Sequence, residues 1–146
     1  MTMTMTIARH AVAREDAALR RALAEADLPV ADLDVSNGRF YRFEKNGVPV
    51  GVGGYEPYGA DALLRSVAVD GAARGTGAGR VIVEALLDDM RQAGVTHAYL
   101  LTTTAAGFFR HLGFAETARD GAPDAILSTP QATSICSSAA LLRKAL

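Results

Sequence analysis

Arg74-Gly75-Thr76-Gly77-Ala78-Gly79-Arg80 lies between an apolar run, Leu63 to Val69, and a helix-patterned stretch, Val81 to Met90. A strand, a glycine turn and a helix in that order constrain the fold more than any other part of the chain. Three glycines within five residues let the backbone approach a ligand closely and turn N–H groups toward an anion, and the helix behind adds the positive end of its dipole. The segment reads as the seat of a phosphorylated cofactor, and pyrophosphate suits it.

The 146 residues are enough for one domain with a real core and leave no spare length for a second, so a single domain over 1–146 is expected. With 49% apolar residues and a formal net charge of -1, the chain is neither a disordered acidic tail nor a basic nucleic-acid binder, which argues against nucleic acid as a partner. Cys136 is the single cysteine, so neither an intrachain disulfide nor a multi-thiolate metal site can form, and a reducing cytoplasm is the expected location. No apolar run approaches the roughly 18 to 20 residues that span a bilayer, and the start lacks the basic-then-apolar order of a signal peptide. No membrane association is expected.

Ahead of the glycine loop, Arg14 to Ala26 carries Ala18, Leu19, Ala22, Leu23 and Ala26 at helical spacing, with Pro29 just beyond. Leu28 to Ser36 reads as a short second helix or an ordered loop near a substrate entrance. Arg39 to Lys45 and Val48 to Tyr55 flank Asn46-Gly47, a pair suited to a tight hairpin turn. Gly51, Gly53 and Gly54 within the second strand point to a bulge or close backbone approach, or else to crowding against a helix. After the loop, Ile82, Leu86, Met90 and Ala93 share a helix face ending at Gly94. Val95 to Thr102 reads as a strand, followed by a helix from Ala105 to Leu112 capped by Thr103 or Thr104. Ile126 to Ser128 and Ala139 to Leu142 are expected as late strands.

No lysine lies near these glycines, so the loop cannot be a nucleotide-binding G-x-x-x-x-G-K-[ST] segment. A dinucleotide fingerprint needs G-x-G-x-x-G at the start of a long doubly wound sheet, whereas here Gly75, Gly77 and Gly79 come after some seventy residues of a short chain. Arg74, Gly77 and Gly79 instead resemble the Q/R-x-x-G-x-G/A acetyl-CoA loop of the GCN5-related N-acetyltransferases (GNAT), and Leu112-Gly113-Phe114 resembles that family's closing signature. Glu56-Pro57-Tyr58-Gly59, Leu63 to Val69, Leu100 to Ala105, Gly107-Phe108-Phe109 and Ser134 to Ala139 look like the branch associated with bacterial arsenic resistance.

The resemblance implies an α/β (α+β) GNAT fold: a mixed, mostly antiparallel central sheet with a splayed parallel pair, here Leu63 to Val69 and Val95 to Thr102, flanked by helices. It implies acetyl-CoA as cofactor, with Val67, Ala68 and Val69 pairing with the pantetheine arm and the N–H groups of Gly75, Thr76, Gly77, Ala78, Gly79 and Arg80 holding the pyrophosphate. Arg74 and Arg80 add charge there, or serve only as surface residues. Thr102 stands where relatives often carry an asparagine that bonds the arm. The chemistry implied is attack of a small-molecule amine on the thioester, with an N–H of the strand polarising the carbonyl. Glu56 is the candidate base, or else a solvated turn carboxylate.

Many family members protonate the departing thiolate with a tyrosine where this chain has Phe109, which cannot donate. A thiol pKa of about 8.5 makes the loss tolerable. Tyr55, Tyr58, Tyr99 and the Thr102 to Thr104 hydroxyls are alternative donors or simply structural, and Gly107 fits close passage of the cofactor thiol. His10, His97 and His111 have no metal-ligand spacing, so no metal is expected, and Cys136 is expected as a small buried hydrophobe. Two functions stay open: an N-acetyltransferase for a small amine, amino-acid-like or organoarsenical, and an acetyl-CoA-binding regulatory module with little turnover. The apolar tail from Ile126 to Leu142 suggests a homodimer.

Overall fold

The structure, a computed structural model, describes residues 7–135 and 138–146, so Cys136 lies outside the described residues. Among these, seven strands form one sheet in the order β1-β2-β3-β4-β5-β7-β6: β1 (Ala8–Val12), β2 (Arg39–Lys45), β3 (Val48–Tyr58), β4 (Asp61–Val69), β5 (His97–Thr102), β6 (Ala115–Thr117) and β7 (Ala140–Ala145). Every neighbouring pair is antiparallel except β4 and β5, which are joined through α2 (Ala78–Gln92), the long crossover a parallel pair requires. The β2–β3 hairpin turns on Asn46 and Gly47 with φ of 52° and 79°, as the dipeptide predicts.

One sheet face is covered by α2, which buries Ile82, Val83, Leu86, Leu87 and Met90 against Phe43, Tyr55, Leu64 and Leu100. Each such side chain contributes about 1.5–3 kcal/mol of burial. The opposite face carries α1 (Ala17–Glu25), whose Asp16 side chain accepts from the Leu19 N–H as the N-cap. Leu19 and Leu23 of α1 pack with Leu33, Phe40 and Val52, Leu33 belonging to a 3-10 turn over Ala31–Val35. The Leu28 to Ser36 segment is therefore a short helix.

The strand glycines answer to the helix as well as to a bulge. A Cβ on Gly53 would fall 2.7 Å from Leu86 Cδ1, and one on Gly51 would collide with the Ala68 carbonyl and Ile82. The irregularity sits in the β3–β4 pairing, between Val52 and Gly54, where Ser66 and Val67 face the single residue Gly53.

Two expectations are corrected. Ile126 is not on a strand: Pro123 N-caps a short helix α4 (Asp124–Leu127), where Ile126 fills a fully buried site among Leu63, Tyr99 and Leu141. Besides β5, the strand that pairs with β7 is β6, immediately after Phe114. The cap of helix α3 (Ala106–His111) is neither Thr103 nor Thr104: its N-cap is Ala105, with no side-chain cap, and Thr102 Oγ1 accepts from the Ala105 N–H just before it at 2.9 Å.

Candidate active site

Parallel pairing of β4 and β5 runs only through Asp61–His97, Ala62–Ala98 and Leu63–Tyr99. Beyond it the strands diverge, leaving β4 from Leu64 to Val69 without a partner on that side. At the bulge Ser66 is buried with φ of 61°, a left-handed conformation costing roughly 1–3 kcal/mol in a residue with a Cβ.

The glycine loop closes one end of this opening. Gly77 is the N-cap of α2, with φ of 85°, and no side chain caps the helix; Gly75 has φ of 78°. A Cβ at either would meet nothing within 4 Å, so both face open space. Among the described residues, the N–H groups of Gly75, Gly77, Ala78, Gly79 and Arg80 have no backbone acceptor, and the first turn of α2 holds no acidic residue. A 15-residue helix that starts in this way presents a ring of donors to an anion. The loop therefore fits a pyrophosphate-bearing cofactor on its own geometry. Thr76 is turned inward, its hydroxyl donating to the Ala73 carbonyl.

A cleft of about 420 Å³ rises from the loop, bordered by Val67, Val69, Arg74, Gly75, Gly77 to Arg80, Ala105, Phe108 and Phe109. It shares Val67, Val69, Arg74, Ala105 and Phe109 with a second cavity of about 270 Å³ between the splayed strands, which adds Arg65, Ser66, Ala68, Thr102 and Thr104. A third, of about 430 Å³, continues through Arg65, Ser66, Thr102 and Thr104 to Asp27, Thr103 and Gln131. The three form one path from the α2 side of the sheet, between β4 and β5, to the α1 side. Of the expected cofactor residues, all but Thr76 border it. Arg80 points largely to solvent, 70% exposed and 3.9 Å from Glu84. Phe109 is buried edge-on against Phe108 and Phe114. Gly107 is exposed and absent from the cleft wall, so proximity to the cleft does not account for it.

Glu56 is placed otherwise than a solvated turn carboxylate. It is 2% exposed, and its Oε2 accepts from Ser36 Oγ at 2.5 Å and Arg65 Nη1 at 2.9 Å, while Oε1 accepts from Tyr58 OH at 2.7 Å. Glu56 borders none of the three connected cavities; Arg65 stands between. Arg65 also donates from Nη1 and Nη2 to Asp32, at 2.6 and 2.9 Å, and from Nε to Ser66 Oγ. Burial works against its charge, but Asp32 and Glu56 outweigh that and hold its pKa above the ordinary value. Tyr58 is pushed well above the ordinary phenol value by burial and then by Glu56, so it is a neutral donor. Tyr55 points to the other sheet face, where it donates to Asp89 Oδ2 at 2.6 Å, and Tyr99 lies in the core beside Ile126; neither borders the path.

Sequence reasoning missed Arg65, Ser66, Asp32 and Gln131 as parts of the site. The available signal was Arg65 itself, a lone charge inside an otherwise apolar strand run, which requires a buried partner.

A mixed sheet whose one parallel pair splays open over an uncapped, glycine-rich helix start defines an acyl-CoA-dependent N-acyltransferase fold. Residues 6–114 match the model of the acetyltransferase (GNAT) family, and the chain belongs to that family, whose acyl donor is acetyl-CoA. Among solved structures it is similar to N-acetylglutamate synthase from Neisseria gonorrhoeae, solved with coenzyme A and N-acetyl-glutamate: TM-score 0.80, 19% identity, covering 99% of this chain and 36% of that one. The chain thus spans little more than a third of that relative's length. It is also similar to a GNAT acetyltransferase from Staphylococcus aureus Mu50 (TM-score 0.70, 17% identity, 97% and 99% covered). A third likeness is to Rv2747 from Mycobacterium tuberculosis, solved in complex with CoA (0.69, 19%, 95% and 99%). No curated protein matches the chain in sequence.

Proposed function

We propose that this protein moves the acetyl group of acetyl-CoA to the amine of a small molecule. The carrying observation is the continuous path from the uncapped helix start, between β4 and β5, to a separate polar pocket on the α1 side. A cofactor and an acceptor entering from opposite faces would meet between the strands. Bound acetyl-CoA supplies the activated thioester. The chain supplies donors from Gly75 to Arg80 for a pyrophosphate, charge from Arg74 and Arg80, and the unpaired edge at Val67, Ala68 and Val69 for the arm. Thr102 keeps a hydroxyl proton free to donate, since its oxygen serves Ala105 as acceptor.

An alkylammonium with a pKa of about 10.4 must lose its proton before it attacks. Glu56 stands in this reading as the candidate base, set behind Arg65 and already accepting from Ser36 and Tyr58. Phe109 offers the departing thiolate no proton, and a thiol pKa of about 8.5 lets it leave as the anion or take one from water. Phe109 is also the observation that favours the second reading, a regulatory module that binds acetyl-CoA with little turnover.

The likeness to arsenic-resistance acetyltransferases supports an amino-acid-like or organoarsenical amine as acceptor; the apolar tail that suggested a homodimer buries Ile126, Leu141 and Leu142 within this chain. Thiol release from acetyl-CoA, measured across amines, amino acids and amino-arsenicals beside calorimetric CoA binding, tests the reading. The expected result is turnover with at least one amine; CoA binding with no turnover on any would leave the regulatory module.

A further inference from the structure

The acceptor end of the path has a chemistry of its own. Its wall contains one cation, Arg65, whose side chain is fully buried and which already makes four hydrogen bonds, to Asp32, Glu56 and Ser66. That guanidinium has one N–H left and no accessible surface to offer a substrate anion. Formally, Asp32 and Glu56 place two negative charges against its one, and Asp27 adds another at the exposed rim. The other positive side chains of the path, Arg74 and Arg80, border the cleft above the glycine loop and are absent from this pocket.

A second observation is independent of charge. Gln131 borders the same pocket and is only 5% exposed as a residue; among the described residues its carboxamide has no hydrogen-bond partner, and its polar atoms keep their exposure, since neither is a fully buried unpaired atom. An amide that reaches a pocket without a protein partner keeps two donors and an acceptor for a ligand there. Gln131 opens a single π-helical turn, Gln131–Ile135, a local geometry frequent at functional sites. It borders a pocket whose other polar residues are Asp27, Arg65, Ser66 and the Thr102 to Thr104 segment.

Resting on the acetyltransferase reading above, we propose that Gln131 is a specificity-determining residue of the acceptor pocket. The pocket takes amines whose second polar group is neutral or cationic, and it discriminates against acceptors bearing a carboxylate, phosphonate or arsonate. A hydroxyl, amide or guanidinium can pair with the free carboxamide and the threonines, and a cation is drawn by Asp27 at the rim while the Arg65 charge is offset behind the wall by Asp32 and Glu56. A carboxylate would be desolvated there without a cation to meet it. An organoarsenical amine without an acidic group stays within the class.

Matched pairs test this: agmatine against arginine, histamine against histidine, tyramine against tyrosine. Both kcat/KM with acetyl-CoA and calorimetric affinity for the CoA-saturated protein are measured. The expected result is a preference of at least about ten-fold for the decarboxylated member. In Gln131→Ala the acceptor KM or Kd rises at least about five-fold, with CoA affinity unchanged. Gln131→Glu, which keeps the shape and adds a charge, widens the preference for agmatine over arginine. Equal or better binding of the amino acids, or Gln131 variants with wild-type acceptor affinities, would overturn the proposal. Absence of turnover alongside the expected binding preference would instead count against the enzyme reading and leave the pocket assignment standing.

Discussion

At the scale of single residues, the site divides into groups held in place and groups left open. Gly77 belongs to the second kind: its φ of 85° costs a residue with a Cβ about 1–2 kcal/mol, and the space a Cβ would enter is the open side of the loop. Gly77→Val is expected to lower stability by about that amount in urea titration and to weaken CoA binding by calorimetry; unchanged CoA affinity would remove the loop from the cofactor site. Glu56 belongs to the first kind. Two roles predict different outcomes for Glu56→Gln, which keeps the shape and removes the charge. As a base, its loss lowers kcat and abolishes the acid limb of the pH–rate profile. As an anchor of Arg65, its loss costs roughly 1–3 kcal/mol of stability and leaves the shape of that profile intact. Arg65→Met is harsher in either case, about 3–5 kcal/mol, because it strands two buried carboxylates.

At the scale of elements, α2 does two things at once. Its apolar side is buried under the sheet through Ile82, Leu86 and Met90, while its start is left uncapped for an anion. Leu86→Ala is therefore expected to cost about 2–5 kcal/mol, read in thermal melts, with CoA affinity retained in the folded fraction. Thr102 has a comparable double position: its hydroxyl oxygen receives the Ala105 N–H just before α3. Thr102→Val, which removes that hydrogen bond, is expected to destabilise by about 1 kcal/mol, and a rise in the KM for acetyl-CoA beyond that effect would mark a direct contact with the arm. The helix, hairpin and βα units were readable because each carries its own periodicity and turn chemistry. Ile126 was misread because a three-residue apolar piece has no period, and Pro123 with the buried site between β4, β5 and β7 set its conformation.

At the scale of the whole molecule, Asp89 of α2 ties the helix to the far strands. It accepts from Tyr41 OH at 2.9 Å and Tyr55 OH at 2.6 Å and lies 2.8 Å from Arg9 Nη1. Burial raises its pKa, but the two hydroxyls and Arg9 outweigh that, leaving it below the ordinary 3.8. Its contribution is thus present above 3.8 and lost as pH falls through the lower folded value. Tyr55 is pushed up to about 12, first by burial and then by its bond to Asp89. That contribution holds below 10.0 and is lost as pH rises toward about 12. Urea melts across pH are expected to show both losses, and Asp89→Asn is expected to shrink them together; a variant with the wild-type pH profile would show that the cluster contributes nothing.

The sequence alone determined the order of elements, the tight hairpin and the glycine-rich start of α2. All of these are local: they depend on spacing, on positive φ and on helix-end donors that need no distant partner. The tertiary structure decided what the polar residues do. Arg65 lies nine residues from Glu56 and thirty-three from Asp32, and Glu56 acquires its neighbours only when β3, β4 and the turn after α1 converge on one face. Gln131 comes to border one pocket with Thr102 to Thr104 only because the chain after β6 folds back across the sheet. Burial and charge pairing between distant segments have no period to read, so the glycine-rich helix start was legible in the chain and the surroundings of Glu56, Arg65 and Gln131 were not.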